Sequence, residues 1–326
     1  MNTAHETVDH SQQFIHALEA GDVEELRLVP KTELHSHGNL AFHSYEISQI
    51  LGIEIPPPPA KFHDFTDFIA YIKTYLHPLT DTKAEMEHIL FHAIEMAVDD
   101  GVVALEMSID CKFSNLWDSP NEFLSYMEFM VDHFKHQVDF RPELGLNRAD
   151  SMENLIAWGM PLIESGVFKS VDLYGNEAQG DLSQLKHLFK AAKAYGLKLK
   201  AHSGEFGTPK DIFNTIEKLG LQEIQHGINA VDDKNLLKYL RESEIALHIC
   251  PTSNVMLSRV ESMERHPVKK IADAGVVVTL NSDDLAVFDQ TVSQEYLNVF
   301  QAGLFSASEL DLIRLQTLRQ FARKTL

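Results

Sequence analysis

Lys198-Leu-Lys-Ala-His-Ser-Gly-Glu205 is the stretch on which the fold turns. It reads as a strand over 197–201 that stops abruptly at a histidine, a glycine and a carboxylate. His202 would stand at the mouth of that strand as a candidate metal ligand. Glu205, three residues on, would be a candidate proton carrier. Three further stretches end in the same way: His35-Ser-His37 upstream, Gln225-His226-Gly227 shortly after, and Asn281-Ser-Asp283-Asp284 at the end of another apolar run.

Working outward, short strand-like runs alternate with helical periodicity along the whole chain. Strands are expected near 32–37, 102–109, 140–146, 170–174, 197–201, 223–226, 245–249 and 276–280, that at 140–146 being the weakest signal. A helical segment follows each. Residues 11–28 have helical spacing broken at Gly21, with Asp22 as the cap of the second piece. Helices are also expected over 41–55, 62–76, 82–99, 120–138, 151–165, 181–195, 209–219, 232–241, 266–274 and 290–302, with two more at the C-terminus. Pro56 to Pro59 reads as a stiff extended loop. Strict alternation argues a parallel sheet, and eight units argue a closed (β/α)8 TIM barrel rather than an open sheet. No composition shift or polar linker marks a second domain. The expectation is one domain over 1–326, with residues 1–29 as an N-terminal helical extension. The strands read as short apolar runs, as in a sheet covered by helices.

Composition narrows the function classes. Asp plus Glu total 48 against 28 Lys plus Arg, a formal net charge of −20. That argues against nucleic-acid and anionic-membrane partners, which need a basic patch, and leaves a small molecule. The two cysteines, Cys111 and Cys250, make neither a disulfide framework nor a four-cysteine metal site, which fits a reducing, cytoplasmic setting. Met1 to His10 lacks the basic and apolar regions of a signal peptide, and no apolar run is long enough to span a bilayer.

In a barrel, the C-terminal ends of the strands meet at one face. His35, His37, His202, His226, Asp283 and Asp284 would all lie there. Each alone has an ordinary explanation. With 17 histidines, a chance His-x-His is easy. His202 could be a hydrogen-bonded structural histidine, and Asp283-Asp284 a helix N-cap pair. Together, at the ends of strands one, five, six and eight, they point to a metal site. Imidazoles with a carboxylate suit zinc with a water in an open position, and zinc lowers the pKa of that water toward about 7. No lysine stands at the fourth strand end, where Tyr174 and Gly175 lie, so one metal per chain is favoured. The aromatic segment 62–76 (Phe62, Phe65, Phe68, Tyr71, Tyr75) is read as core packing first and as a substrate lid second. The chain has no P-loop, no dinucleotide fingerprint, no Gly-x-Ser-x-Gly elbow, and no Pro-Cys-x-x-Cys zinc motif.

At this point the chain resembles the adenosine deaminase family of metal-dependent hydrolases. The matching pieces are Pro30-Lys-Thr-Glu-Leu-His-Ser-His37, Val171-Asp-Leu-Tyr-Gly-Asn-Glu177, His202-Ser-Gly-Glu205, Gln225-His-Gly227, Cys250-Pro-Thr-Ser-Asn254 and Asn281-Ser-Asp-Asp284. The resemblance implies that His35, His37, His202 and Asp283 bind one Zn2+. It implies that Glu205 protonates the purine ring nitrogen beside the amino-bearing carbon and that His226 orients the attacking hydroxide. Asp284 would hydrogen-bond the imidazole-ring nitrogen of the purine, and Gly175 would offer its backbone to the pyrimidine-ring edge. A carboxyl group with that duty needs a raised pKa.

The departures lie mostly on the sugar side. The family continues Leu-Asp-Gly after its His-x-His, and that Asp reaches the ribose. Here Gly38-Asn39-Leu40 follows, and Asn39 carries no charge to repel a phosphate. Leu285 replaces the family's Pro, and Glu223-Ile-Gln225 its Arg-Ile-Gly. The implied activity is hydrolytic deamination of a 6-aminopurine nucleoside, adenosine or deoxyadenosine. The alternative keeps the mechanism on adenine, an N6-substituted adenine nucleotide or another aminated heterocycle. A catalytically inactive purine-binding protein is a third reading, against which the intact Glu205 and His226 stand.

Overall fold

Side chains alternate across a strand, and this alternation explains the architecture. The computed structural model describes residues 10–322. The readings made for residues 1–9 and 323–326, including the missing signal peptide and the first part of the N-terminal extension, lie outside the described residues. Eight strands stand side by side in chain order: β1 (Lys31–His37), β2 (Val102–Asp110), β3 (Asp139–Asn147), β4 (Ser170–Tyr174), β5 (Lys198–His202), β6 (Glu223–Gln225), β7 (Ala246–Ile249) and β8 (Val278–Leu280). Every neighbouring pair is parallel. The weakly signalled third strand is nine residues long, as long as β2.

The barrel is nearly closed. Between β8 and β1 the seam consists of one bridge, Ser36 with Asp283, where Asp283 N donates to His35 O at 3.0 Å. Side chains stitch the rest. Leu34 N donates to Asn281 Oδ1 (3.0 Å), and Ser282 N and Oγ donate to Glu33 Oε2 (3.0 and 2.6 Å). The closure therefore depends on residues of the same segments that carry the strand-end histidines and aspartates.

Outward-facing strand residues (Leu105, Met107, Ile109, Leu144, Leu146, Val171, Leu173, Leu199, Ala201) pack under the helices in one apolar core. The inward face differs from the expected apolar runs. Lys200 is fully buried with its Nζ 2.5 Å from Glu106 Oε2 and 2.6 Å from Glu143 Oε2. Glu223, paired with His248 Nε2 at 2.9 Å, closes the group. Burial disfavours the Lys200 charge, but Glu106, Glu143 and Glu223 outweigh it, and the net shift is upward. The strands are apolar on one face only, because the barrel interior is filled by compensated charge.

Helix boundaries follow their caps. Thr82 and Glu85 form a capping box before Lys83–Asp99, and Thr208 with Asp211 does the same before Pro209–Leu219. Asp22 accepts from Glu25 N, as expected for the cap of Val23–Arg27. Phe14, Ala17, Leu18 and Leu26 of the N-terminal helices are fully buried in the main core. Two expectations need correction. Residues 41–55 yield only the helix Ser44–Leu51, preceded by a 3-10 turn at Gly38–Leu40 that carries Asn39. Among the described residues one helix, Ala307–Ala322, follows Val292–Gln301 instead of two, since no Gly or Pro interrupts it. No helix among the described residues is long and apolar enough to cross a membrane.

The aromatic segment packs into a core and also borders the barrel mouth. Asp64 caps the helix Phe65–Tyr71 by accepting from Thr66 N (2.7 Å) and Asp67 N (3.1 Å). A wider π-helical turn follows at Ile72–Leu76. Phe62, Phe68, Tyr71 and Ile72 belong to a second apolar cluster with Phe288, whose ring stacks on Phe68 at 5.8 Å. Phe65, Phe68, Ile69 and Ile72 also line the cavity over the barrel mouth.

Candidate active site

The strand ends bring the scattered residues together. His35 Nε2 and His202 Nε2 lie 3.1 Å apart, and His37, His202 and His35 present ring nitrogens within 4.8 Å of one another. Asp283 Oδ1 is 3.6 Å from His37 Nε2 and 3.9 Å from His35 Nε2. All of these side chains are buried or nearly so.

Hydrogen bonds assign the tautomers. His35 Nδ1 faces the His248 carbonyl oxygen (3.0 Å), which only accepts, so Nδ1 carries the proton and Nε2 is bare. His202 Nδ1 meets Asp172 Oδ1 (3.1 Å), so its Nε2 is bare as well. Burial lowers His35 well below the usual imidazole range, and His37 and His202 to about 4. At neutral pH two lone pairs therefore face each other across 3.1 Å with no proton to share. This is the arrangement a cation resolves, and the nitrogen and carboxylate donors are those zinc prefers.

His226 is different. Val268 N donates to His266 Nδ1 (3.1 Å), so His266 Nε2 carries the proton and donates to Asn254 Oδ1 (3.2 Å). That fixes the Asn254 amide. Its Nδ2 donates to Glu205 Oε1 (2.7 Å) and lies 3.2 Å from His226 Nδ1, which must accept. His226 therefore carries its proton on Nε2, 3.7 Å from Asp283 Oδ2 and 3.6 Å from Glu205 Oε2. It points a donor into the site, unlike the bare Nε2 atoms of His35 and His202. A second possible ligand group, His35, His226, Cys250 and Asp283, also lies close together. It is the poorer set, because His226 donates and burial pushes the Cys250 thiol well above its ordinary range.

Backbone conformation marks the same two residues. His226 (φ 62°) and Asp283 (φ 63°) are non-glycine residues in the left-handed region. Such strain, of order 1–3 kcal/mol each, gathers at functional sites. Glu205 is held from behind. Both Glu177 oxygens accept backbone N–H groups of the loop, from Gly204 (2.6 Å), Glu205 (2.9 Å), Phe206 (2.8 Å) and Gly207 (3.3 Å). Gly204 is needed there, with φ 85° and Ile212 Cδ1 only 2.2 Å from where a Cβ would stand. Burial, then the charges of Asp283 and Glu177, push the Glu205 carboxyl well above the usual carboxylate range. Asp284 Oδ1 is buried without a hydrogen-bond partner.

A cavity of about 410 Å³ opens over this floor. His37, His202, Glu205, His226, Asp283 and Asp284 line it at the base, with Gly175 and Asn39 on the walls. Every sequence-predicted site residue thus faces this cavity except His35, which lies beneath it against His202. Sequence reasoning assigned no role to Asp172, Glu177, Asn254 or His266. Asp172, Glu177 and Asn254 were legible only as members of matching motifs, Asp172 also as a charged residue inside an apolar strand. His266 gave no signal.

Fold and site together define a barrel hydrolase of the amidohydrolase type. A sequence model of the adenosine deaminase family matches residues 53–322. A protein of Treponema pallidum described as a putative adenosine/adenine deaminase is 35% identical over 285 residues, covering 87% of this chain and 95% of that protein. Among solved structures, the N6-methyl-AMP deaminase from Arabidopsis thaliana aligns with TM-score 0.72 at 20% identity, covering 90% of this chain and 91% of that one. An amidohydrolase from Burkholderia ambifaria with bound zinc aligns with TM-score 0.70 at 19% identity, covering 92% and 95%. The chain belongs to the adenosine deaminase family and is an aminohydrolase of that type.

Proposed function

We propose that the protein deaminates a 6-aminopurine nucleoside, converting adenosine or deoxyadenosine and water to the 6-oxopurine nucleoside and ammonia. The observation that carries this reading is the pair at the cavity floor, the buried Glu205 carboxyl 3.6 Å from His226 Nε2, with burial pushing Glu205 above the usual carboxylate range. His35, His37, His202 and Asp283 would hold one zinc ion, which when bound supplies Lewis acidity toward a water at its open position. Glu205 gives its proton to the ring nitrogen next to the amino-bearing carbon, making that carbon electrophilic. The water oxygen bonds to this carbon while His226 Nε2–H holds it in line. The carbon–nitrogen bond then breaks: one of the water's two protons leaves with the ammonia and the other returns to Glu205, restoring the acid and leaving a 6-oxo group beside the protonated ring nitrogen. Asp284 meets the imidazole-ring edge of the purine and Gly175 the pyrimidine-ring edge. Gly175 has φ 98°, and an added Cβ would stand 2.9 Å from Asn147 Oδ1, so the backbone is left bare there.

A second reading changes only the substrate, to adenine or an N6-substituted adenine nucleotide. Asn39, a neutral residue on the cavity wall, favours it. The relatives named above act, by their descriptions, on adenosine or adenine and on N6-methyl-AMP. The whole chain is read as one catalytic domain, with its N-terminal helices sharing the barrel's core. The test is ammonia release from adenosine, 2′-deoxyadenosine, adenine, AMP and N6-methyl-AMP, with and without a chelator. Chelator-sensitive turnover of adenosine or its 5′-anionic form, above adenine, is expected. Turnover of another member moves the substrate, and silence of the zinc-loaded protein on all five overturns the reading.

A further inference from the structure

The cavity has two chemically different ends. Near the floor three carboxylates are committed, Asp283 to the histidine cluster, Glu177 to four backbone N–H groups and Glu205 to Asn254, while Asp284 Oδ1 has no hydrogen-bond partner. The rest of the wall carries neutral polar residues and, at one side, Lys73, His77 and Lys112. Two ammonium groups together are unexpected in a chain with a net charge of −20.

The placement of these cations can be followed from the floor outward. The helix Phe65–Tyr71 borders the cavity, and the Phe65 ring packs at 5.3 Å on Phe206, next to Glu205. Eight residues further on, roughly 12 Å along a helix, comes Lys73. Lys73 lies in the π-helical turn, and such turns gather at functional sites. Among the described residues Lys73 makes no ion pair and no side-chain hydrogen bond. Lys112 approaches the cavity from the end of β2. Its Nζ is 3.3 Å from Asp110 Oδ2, to which the Tyr174 hydroxyl also donates, and the Tyr174 ring lies 5.4 Å from that of His37. Burial, then the charges of Lys112 and Lys73, lower His77, so it is a neutral donor near both. The opposing charges are Asp110, shared between Lys112 and Tyr174, Asp150 near Lys112, and Asp81 near His77. None of them occupies Lys73.

We propose that Lys73, His77 and Lys112 form an anion subsite that receives a phosphate or carboxylate on the end of the substrate remote from its reacting amine. The inference rests on the 6-aminopurine reading and adds that the nucleoside carries a negative group. Asn39 fits this assignment, since an aspartate there would add a negative charge to the same cavity.

The test separates binding from turnover. Dissociation constants for adenosine, AMP and adenosine 5′-carboxylate are measured by calorimetry on the zinc-loaded Glu205→Gln protein. Ammonia release from the same three compounds is followed with the native protein. At least one anionic compound is expected to bind tenfold or more tightly than adenosine, and the advantage shrinks as salt rises. Preference for AMP alone identifies phosphate, and preference for the carboxylate alone identifies carboxylate. In the Lys73→Gln/Lys112→Gln double variant the anion-to-adenosine ratio falls toward one, and Lys112→Arg retains it. Adenosine binding as tightly as both anions overturns the subsite, as does a double variant whose ratio is unchanged. Tight anion binding that the double variant loses, with no ammonia from any compound, keeps the subsite and removes the deaminase reading. Ammonia release with no anion preference does the reverse.

Discussion

His266 touches neither the cavity nor the histidine cluster, yet the hydrogen-bond chain makes it the residue that sets the His226 tautomer. Its Nε2–H donates to Asn254 Oδ1 at 3.2 Å, with both residues buried. In His266→Phe that acceptor loses its partner inside the protein, which costs about 1–3 kcal/mol. The same amount ceases to discriminate against a flipped amide. With Asn254 reversed, its oxygen accepts from Glu205 and from His226 Nδ1, and His226 then presents a bare Nε2 to the site. At about 1.4 kcal/mol per tenfold, kcat is expected to fall roughly 10- to 100-fold. KM should change much less, because Asn254 and His266 do not line the cavity. Zinc content should stay at that of the native protein, since no proposed ligand is touched. His266→Gln, which keeps an N–H donor, should recover part of the loss. The assay is steady-state ammonia release with zinc measured on the same sample, and thermal denaturation as the folding control. A folded, zinc-loaded His266→Phe protein with native kcat would refute the tautomer argument, as would a loss that simply follows the loss of zinc.

Four shorter predictions accompany this one. Glu205→Gln keeps its metal and loses about 10²- to 10⁴-fold in kcat; substantial turnover in a zinc-replete sample would remove Glu205 as proton donor. Asn39→Asp raises kcat/KM for adenosine relative to adenine, and an unchanged ratio would separate Asn39 from sugar recognition. Lys200→Met leaves Glu143 buried without its cation and Glu106 with only Lys198 at 3.7 Å, and lowers stability by about 3–5 kcal/mol in urea denaturation; a change below about 1 kcal/mol would mean that the carboxyls simply take up protons. Burial raises Glu295 from 4.5 to about 8, so the folded chain holds this proton more tightly than the unfolded one. Its contribution is fully present below pH 4.5 and is lost as pH rises through about 8. Denaturation midpoints of Glu295→Gln should therefore fall less than those of the native protein across that window, and parallel curves would contradict the assignment.

The eight-strand rhythm was legible because each strand is a short run bounded by turn residues, and because a parallel strand needs a crossover helix. Local chemistry of this kind also placed His35, His37, His202, His226, Asp283 and Asp284 at strand ends, and so at one mouth. Glu205 was readable as the carboxylate just beyond a strand. What a linear pattern could not reveal was which groups face one another across the barrel. Lys200 looks like a polar interruption of β5 until Glu106 and Glu143 arrive from β2 and β3. Asp172 is one charge in an apolar strand until it meets His202 from the next. The 62–76 segment could be core or lid on periodicity alone, and only the structure shows that it meets both Phe288 and the cavity.

By itself the sequence determined the barrel, the strand-end histidines and aspartates, and the membership of Glu205 in the site, since all of these follow from local period and spacing. Only the tertiary structure decided that His226 donates while His35 and His202 are bare. It alone also shows that the cavity carries two ammonium groups at one side. Tautomers and the charge balance of a cavity depend on partners tens to hundreds of residues away, and those distances exist only once the barrel has closed.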